Sequence, residues 1–255
     1  MLFRSVQLTG GVVVSATDAK SASIVLVASD LNNIKLLDGL ATTSGNTYLI
    51  HTSGFGRDFF NLSITAISSS NGLLADNFEP DRVSPSLVAF SLDMNNNQIG
   101  LTFSEVVRVS TFNVTQITIQ NATVAGISHT LTGGTTTSVN GLTILVSLSS
   151  SDTNAIKLAT PLATSLATAY IRLTASTVKD MNENSIVAIA DGSALRASNF
   201  TADTTQPALQ AFSLDMNLGQ LKLTFSETIK ASFVQPSEFR IQNNANVTGA
   251  SVGDH

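Results

Sequence analysis

AFSLDMNNNQIGLTFSE, residues 89–105, returns as AFSLDMNLGQLKLTFSE at residues 211–227. The offset is 122 residues, and sliding the chain on itself by that amount also pairs SDLNNIKL (29–36) with SDTNAIKL (151–158). Tyr48 then meets Tyr170, Asp58 meets Asp180, Asn77-Phe78 meets Asn199-Phe200, Asp81 meets Asp203 and Pro85 meets Pro207. LTGG at 8–11 finds LTGG at 131–134 with the offset changed by one residue, the kind of slip that loops absorb. Self-similarity at one period means tandem structural units. One complete copy spans 83–204, preceded by the back part of a copy (1–82) and followed by the front part of the next (205–255). Half of such a unit would leave backbone groups unpaired and a core half covered. The expectation is a window on a longer tandem array. In a second reading, identical subunits complete one another head-to-tail by strand addition.

Composition supports strands. Hydrophobic residues make up 43% of the 255 and charged residues only 12%, about half the usual charged share. Ser and Thr supply about a quarter of the chain, against ordinary usage, so the polar surface is mostly hydroxyl and amide, which suits sheet better than helix. A net charge of −5 offers no basic footprint for nucleic acid. Without cysteine, disulfides, thiolate metal sites and cysteine nucleophiles are excluded. No apolar run approaches the roughly 20 residues of a membrane span, and the opening MLFRSVQLTGG lacks the apolar segment of a signal peptide.

Alternation with period two predicts strands at 87–93, 99–103, 117–119, 142–148, 170–174 and 185–190, and again at 221–225 and 239–241. NNNQ (95–98), Gly133-Gly134, Asn140-Gly141 and Asp191-Gly192 supply the turns. The helical stretch is Asp152 to Ala159, with Ser151 or Asp152 as its N-cap. About seven short antiparallel strands in roughly 120 residues predict an all-β chain of tandem immunoglobulin-like β-sandwich modules, with one short helix per module. FSLDMNLGQLKLTFSE (Phe212 to Glu227), KDMNENSIVAI (Lys179 to Ile189) and the linker ADTTQP (Ala202 to Pro207) resemble bacterial-type Ig-like tandem repeats of secreted and cell-surface proteins. Where that pattern carries Gly-Asn, this chain has Glu183-Asn184 and Asn61-Leu62. The resemblance implies extracellular spacer, adhesion or filament roles and no catalysis.

His51, His129 and His255 are too scattered for a zinc site or an acid/base pair. His51 aligns with Leu173 and His129 with about Val6 or Val252, so both read as strand positions. Asp93, Asn95 and Asn97 imitate a calcium loop, but Gln98 stands where the loop needs Gly, Ser104 where it needs Glu, and Gly219 replaces Asn97 in the other copy. A turn closed by Asp and Asn side chains is the alternative account. Asp81 and Asp203 sit in the linkers, where Glu105 and Glu227 could approach them. A hard cation shared between modules would use those four; otherwise each Asp caps a turn and each Glu is solvated. Asn61, Asn113, Asn121, Asn199 and Asn246 are N-glycosylation acceptors if the compartment is a eukaryotic secretory one, with Asn113, Asn121 and Asn199 expected at exposed strand ends or loops. Gly10-Gly11 and Gly133-Gly134 lack the Lys and helix of a phosphate loop.

What recurs is core, turn and linker, while reactive residues do not. The leading expectation is therefore a structural or adhesive extracellular array without cofactor or catalysis. Its partners would be neighbouring repeats or identical subunits, glycans or other surface proteins. The alternative is a glycan- or calcium-dependent binding module with its site in loops 41–47, 163–169 or 132–141.

Overall fold

The computed structural model describes residues 4–15 and 20–245, and the chain forms two compact units, 1–205 and 206–255. The first unit begins with β1 (Gly11–Ser15), β2 (Ser23–Leu26), α1 (Ala28–Leu36), β3 (Tyr48–Leu49) and β4 (Leu73–Leu74). It continues with β5 (Leu87–Asp93), β6 (Gln98–Arg108), β7 (Ile117–Gln120), β8 (Ser128–Thr130), β9 (Gly134–Thr135) and β10 (Gly141–Leu148). After α2 (Ser150–Leu158) come β11 (Tyr170–Leu173), β12 (Lys179–Asp180), β13 (Leu195–Arg196) and β14 (Asn199–Thr201). The second unit contains β15 (Leu209–Asp215) and β16 (Gln220–Phe225). The chain is thus mostly β, and no helix among the described residues is long and apolar enough to cross a membrane.

Two sheets share one core in the complete copy. The larger runs β14-β5-β6-β10-β9 with β12 also on β6, and the smaller runs β13-β11-β7-β8. Phe90, Leu92, Ile99, Leu101 and Ile144 from the first meet Ile117, Ile119, Ile171 and Leu173 from the second in a single buried cluster, with Ile156 of α2 added. Each such side chain stabilises the fold by about 1.5–3 kcal/mol through burial.

The pairing pattern recurs at the sequence offset. Phe90 faces Leu101 and Phe212 faces Leu223, each after a register shift at the second strand residue. Tyr48 faces Leu74 as Tyr170 faces Arg196, and the bridge His51–Ile67 matches Leu173–Ile189. β1 pairs with β2 through Gly11 and Leu26, as β9 does with β10 through Gly134 and Leu148.

Four local expectations are corrected. Residues 185–190 alternate but form only isolated bridges from Ser185 and Ile189, because their backbone crosses to Lys179 at one end and Leu173 at the other. Phe239 and Ile241 are not in a strand; the matching β7 is held on both sides, by β11 and β8, and the described residues of the second unit include no counterpart of either. β14 pairs with β5 in parallel, so the complete copy is not wholly antiparallel. Finally, the N-cap of α2 is Ser149, whose side chain accepts from Asp152 N. That places Asp152 at the third helical position, where a carboxylate faces the positive end of the helix dipole.

Candidate functional site

The junction between the partial copy 1–82 and the complete copy is built around one ammonium group. Lys35 lies in the last turn of α1, and its Nζ is 2.7 Å from Asp81 Oδ2 and 2.5 Å from Glu105 Oε2. Asp180 brings a third carboxylate, so that one oxygen from each acid lies within 4.8 Å of the others. Asp180 is oriented by its own turn, accepting from Asn182 N and Asn184 N, both at 2.8 Å. Asn184 Nδ2 bonds Asp180 Oδ2 and also reaches the Asp81 carbonyl.

The electrostatics follow from burial. Glu105 is only 6% exposed, and desolvation raises its pKa despite Lys35, with the charges of Asp81 and Asp180 adding to the rise. Desolvation works against the charge on Lys35 too, but its bonds to Asp81 and Glu105 outweigh that and raise its pKa. Asp81 and Glu105 therefore do approach, as their recurrence suggested, and the cation they share is a lysine of the same chain. Asp81 also caps the linker turn at Val83 N. The solvated-Glu alternative is corrected, since Glu105 is buried where β6 passes under α1. Lys35 and Asp180 were missed from sequence, although IKL recurs within the matched SDLNNIKL and SDTNAIKL. The complete copy repeats the Lys–Asp part of the arrangement: Lys157 Nζ is 2.7 Å from Asp203 Oδ2, and Asp203 Oδ1 accepts from Thr205 N. Glu227 lies in the second unit.

The calcium-like loop is a turn satisfied by its own groups. Asp93 Oδ1 accepts from Asn95 N and Asn96 N, and Oδ2 from Asn96 Nδ2; the bonds from Asn96 hold its carboxyl below the usual carboxylate range. Asn95 Oδ1 accepts from Thr204 N and Oγ1, which ties the linker to this turn. Asn97 and Gly219 have φ of 56° and 62°, so the exchange between copies reflects a left-handed backbone that both residues tolerate.

A second recurring device explains LTGG. Asp152 accepts from Thr132 N and Oγ1, Gly133 N, Ser149 Oγ and His129 Nε2. Burial opposes its charge, but these bonds, His129 and Ser149 foremost, lower its pKa to about 2. Asp30 accepts in the same way from Thr9 N and Oγ1 and from Gly10 N, and its pKa is lowered against desolvation by these bonds. The next glycine is fixed by space, since a Cβ on Gly134 would come within 2.9 Å of Ser147 O and one on Gly11 equally close to Val25 O. The anion cradled by this glycine loop is the protein's own carboxylate.

Other expected positions are distributed singly. His129 lies on β8 opposite Ile119, His51 bridges to Ile67, and His255 lies outside the described residues. Asn61, Asn113 and Asn199 are exposed and Asn121 half-buried, while Asn246 lies outside the described residues. Asn121 Oδ1 accepts from Gly126 N and Ile127 N, which corrects the expectation that it is open. Loops 41–47 and 163–169 direct polar groups at their own backbone: Asn46 Oδ1 accepts from Thr42 N and Thr43 N, and Thr168 Oγ1 from Thr164 N and Ser165 N. Loop 132–141 contributes Thr132 and Gly133 to the Asp152 cradle. The chain matches no protein-family model, no curated protein sequence and no solved structure.

Proposed function

We propose that this chain is a stretch of an extracellular or cell-surface array of tandem Ig-like sandwich modules, with a structural or adhesive role and no catalysis. In this reading consecutive modules are held by the lysine–carboxylate junction, and each module is closed when a front half covers a back half. The observation that carries it is a mismatch in burial between residues that match in sequence. Phe90, Leu92 and Ile119 are at most 1% exposed, whereas Phe212, Leu214 and Ile241 are 63%, 40% and 67% exposed. Ile171 and Val146 are fully buried, whereas Leu49 and Ile24 are 55% and 44% exposed. Soluble proteins rarely leave faces of this kind open. The front part of one copy is, residue for residue, what closes the back part of another.

The test is the shape of a longer chain. Polypeptides carrying one, two and three further copies of residues 83–204 are predicted to give rods in electron micrographs whose length grows by a constant step per copy. Particles that grow as compact spheres would overturn the array.

A further inference from the structure

On the outer face of the smaller sheet, away from the shared core, lies a groove of about 460 Å³ that none of the devices above uses. Its floor is a cross-strand row. Arg172 of β11 stands opposite Thr118 of β7, which stands opposite Thr130 of β8. Thr118 and Thr130 share a hydroxyl–hydroxyl bond of 2.8 Å. Gln116 lies at one end, where its Oε1 accepts from Thr174 Oγ1, and Ala188 and Ile189 form an apolar wall.

Arg172 is the anomaly in this row. Its Nε is buried without a hydrogen-bond partner, and among the described residues the side chain makes no hydrogen bond or ion pair. Asp191 feels its charge but makes no ion pair with it, its Oδ1 accepting from Ala125 N, Gln120 Nε2 and Gly192 N. The side chain as a whole is half-buried, and the buried Nε–H carries a desolvation cost with no directed bond in return. The residue at the same place in the first copy is Ile50, just past β3 and exposed.

We propose that this groove binds a carboxylated sugar. The carboxylate pairs with the Arg172 guanidinium, the geometry that planar group suits best. Ring hydroxyls exchange bonds with the threonine row and Gln116, groups that both donate and accept. The C–H face lies against Ala188 and Ile189. The volume is within the range of small-molecule sites, and a polyhydroxylated anion uses every kind of group on the wall, which a bare anion does not. The inference is independent of the array reading, since it concerns one copy.

The experiment is amide and arginine-side-chain NMR on the full chain with D-galacturonate, using D-galactose and acetate as controls. Galacturonate is expected to give saturable shifts at Arg172 Nε, Thr118, Thr130 and Ile189, with acetate and galactose each at least tenfold weaker. In Arg172→Ile and Arg172→Gln the shifts are expected to vanish, with melting temperature unchanged or raised. No saturable shift with galacturonate would overturn the proposal. So would acetate binding as tightly as galacturonate, which makes the groove a generic anion site, or loss of folding in both variants, which makes Arg172 structural.

Discussion

Residues 89–105 and 211–227 are nearly the same peptide and form the same hairpin, yet one is the centre of a core and the other is open on its apolar face. Local sequence and turn chemistry build the hairpin in both places. What differs, among the described residues, is that β7, β8 and β11 follow the first hairpin and share its core. A substitution at matched positions should report which hairpin is covered.

The largest effect is expected at that pair. Phe90→Ala removes a fully buried ring from between the two sheets and should destabilise the first unit by about 3–5 kcal/mol. Phe212→Ala in the same chain should change stability by less than about 0.5 kcal/mol. Denaturant midpoints of the two variants check the contrast; equal losses would mean that Phe212 is covered and would break the comparison.

Lys35→Met comes next, at a cost of about 2–3 kcal/mol, because it strands a buried Glu105 beside two further carboxylates. Glu105 already titrates above the usual range, so its protonated form is favoured by folding. That contribution is present at low pH and lost as pH rises through the folded value. The variant's deficit should therefore shrink as pH falls from 7 to 4, as measured by thermal melts.

Asp152→Asn sharpens the comparison between the two glycine cradles. It should cost about 2 kcal/mol at pH 7 by leaving donors that expect an anion, and Asp30→Asn should cost less, because Asp30 has no counterpart of the bonds from Ser149 and His129. Here the folded pKa is depressed, so wild-type stability is complete above the unfolded carboxylate value and falls as pH drops toward 2. The Asn variant should show a flatter acid limb in melting temperature against pH.

The smallest effect is a gain. Glu183 and Asn61, at matched positions, have φ of 69° and 67°, so Glu183→Gly should relieve about 1 kcal/mol of left-handed strain. The lost ion pairs to Lys179 and Arg108 are half-exposed and offset little of it. Asn61→Gly should gain less, because Asn tolerates that region. A fall in melting temperature for Glu183→Gly would show that the ion pairs outweigh the backbone.

These contrasts also show what was legible. The β5–β6 hairpin could be read because alternation and an Asn-rich turn are local, and α2 because SDTNAIKL contains neither Gly nor Pro. The parallel β14–β5 pair could not, since it joins residues over a hundred positions apart with no pattern of its own. Residues 185–190 alternate, but alternation states which face is apolar and not whether a neighbour is within hydrogen-bonding reach. At the junction, Asp81 and Glu105 were visible by recurrence. Lys35 was hidden inside SDLNNIKL, a stretch read only as a repeat match, and Asp180 inside a turn motif. LTGG was recognised as a repeat and its purpose missed, because its anion is 20 residues away in the chain.

The central claim is that a front half and a back half from different copies make one module. The direct measurement is the unfolding of a single polypeptide in which residues 205–245 are joined ahead of residues 4–82, the order that reconstitutes one copy. A single cooperative transition, with Phe212 and Leu49 amides as protected from hydrogen exchange as those of Phe90 and Ile171 in the parent chain, is the predicted result. A chain that melts without cooperativity and binds hydrophobic dye across the transition would contradict it.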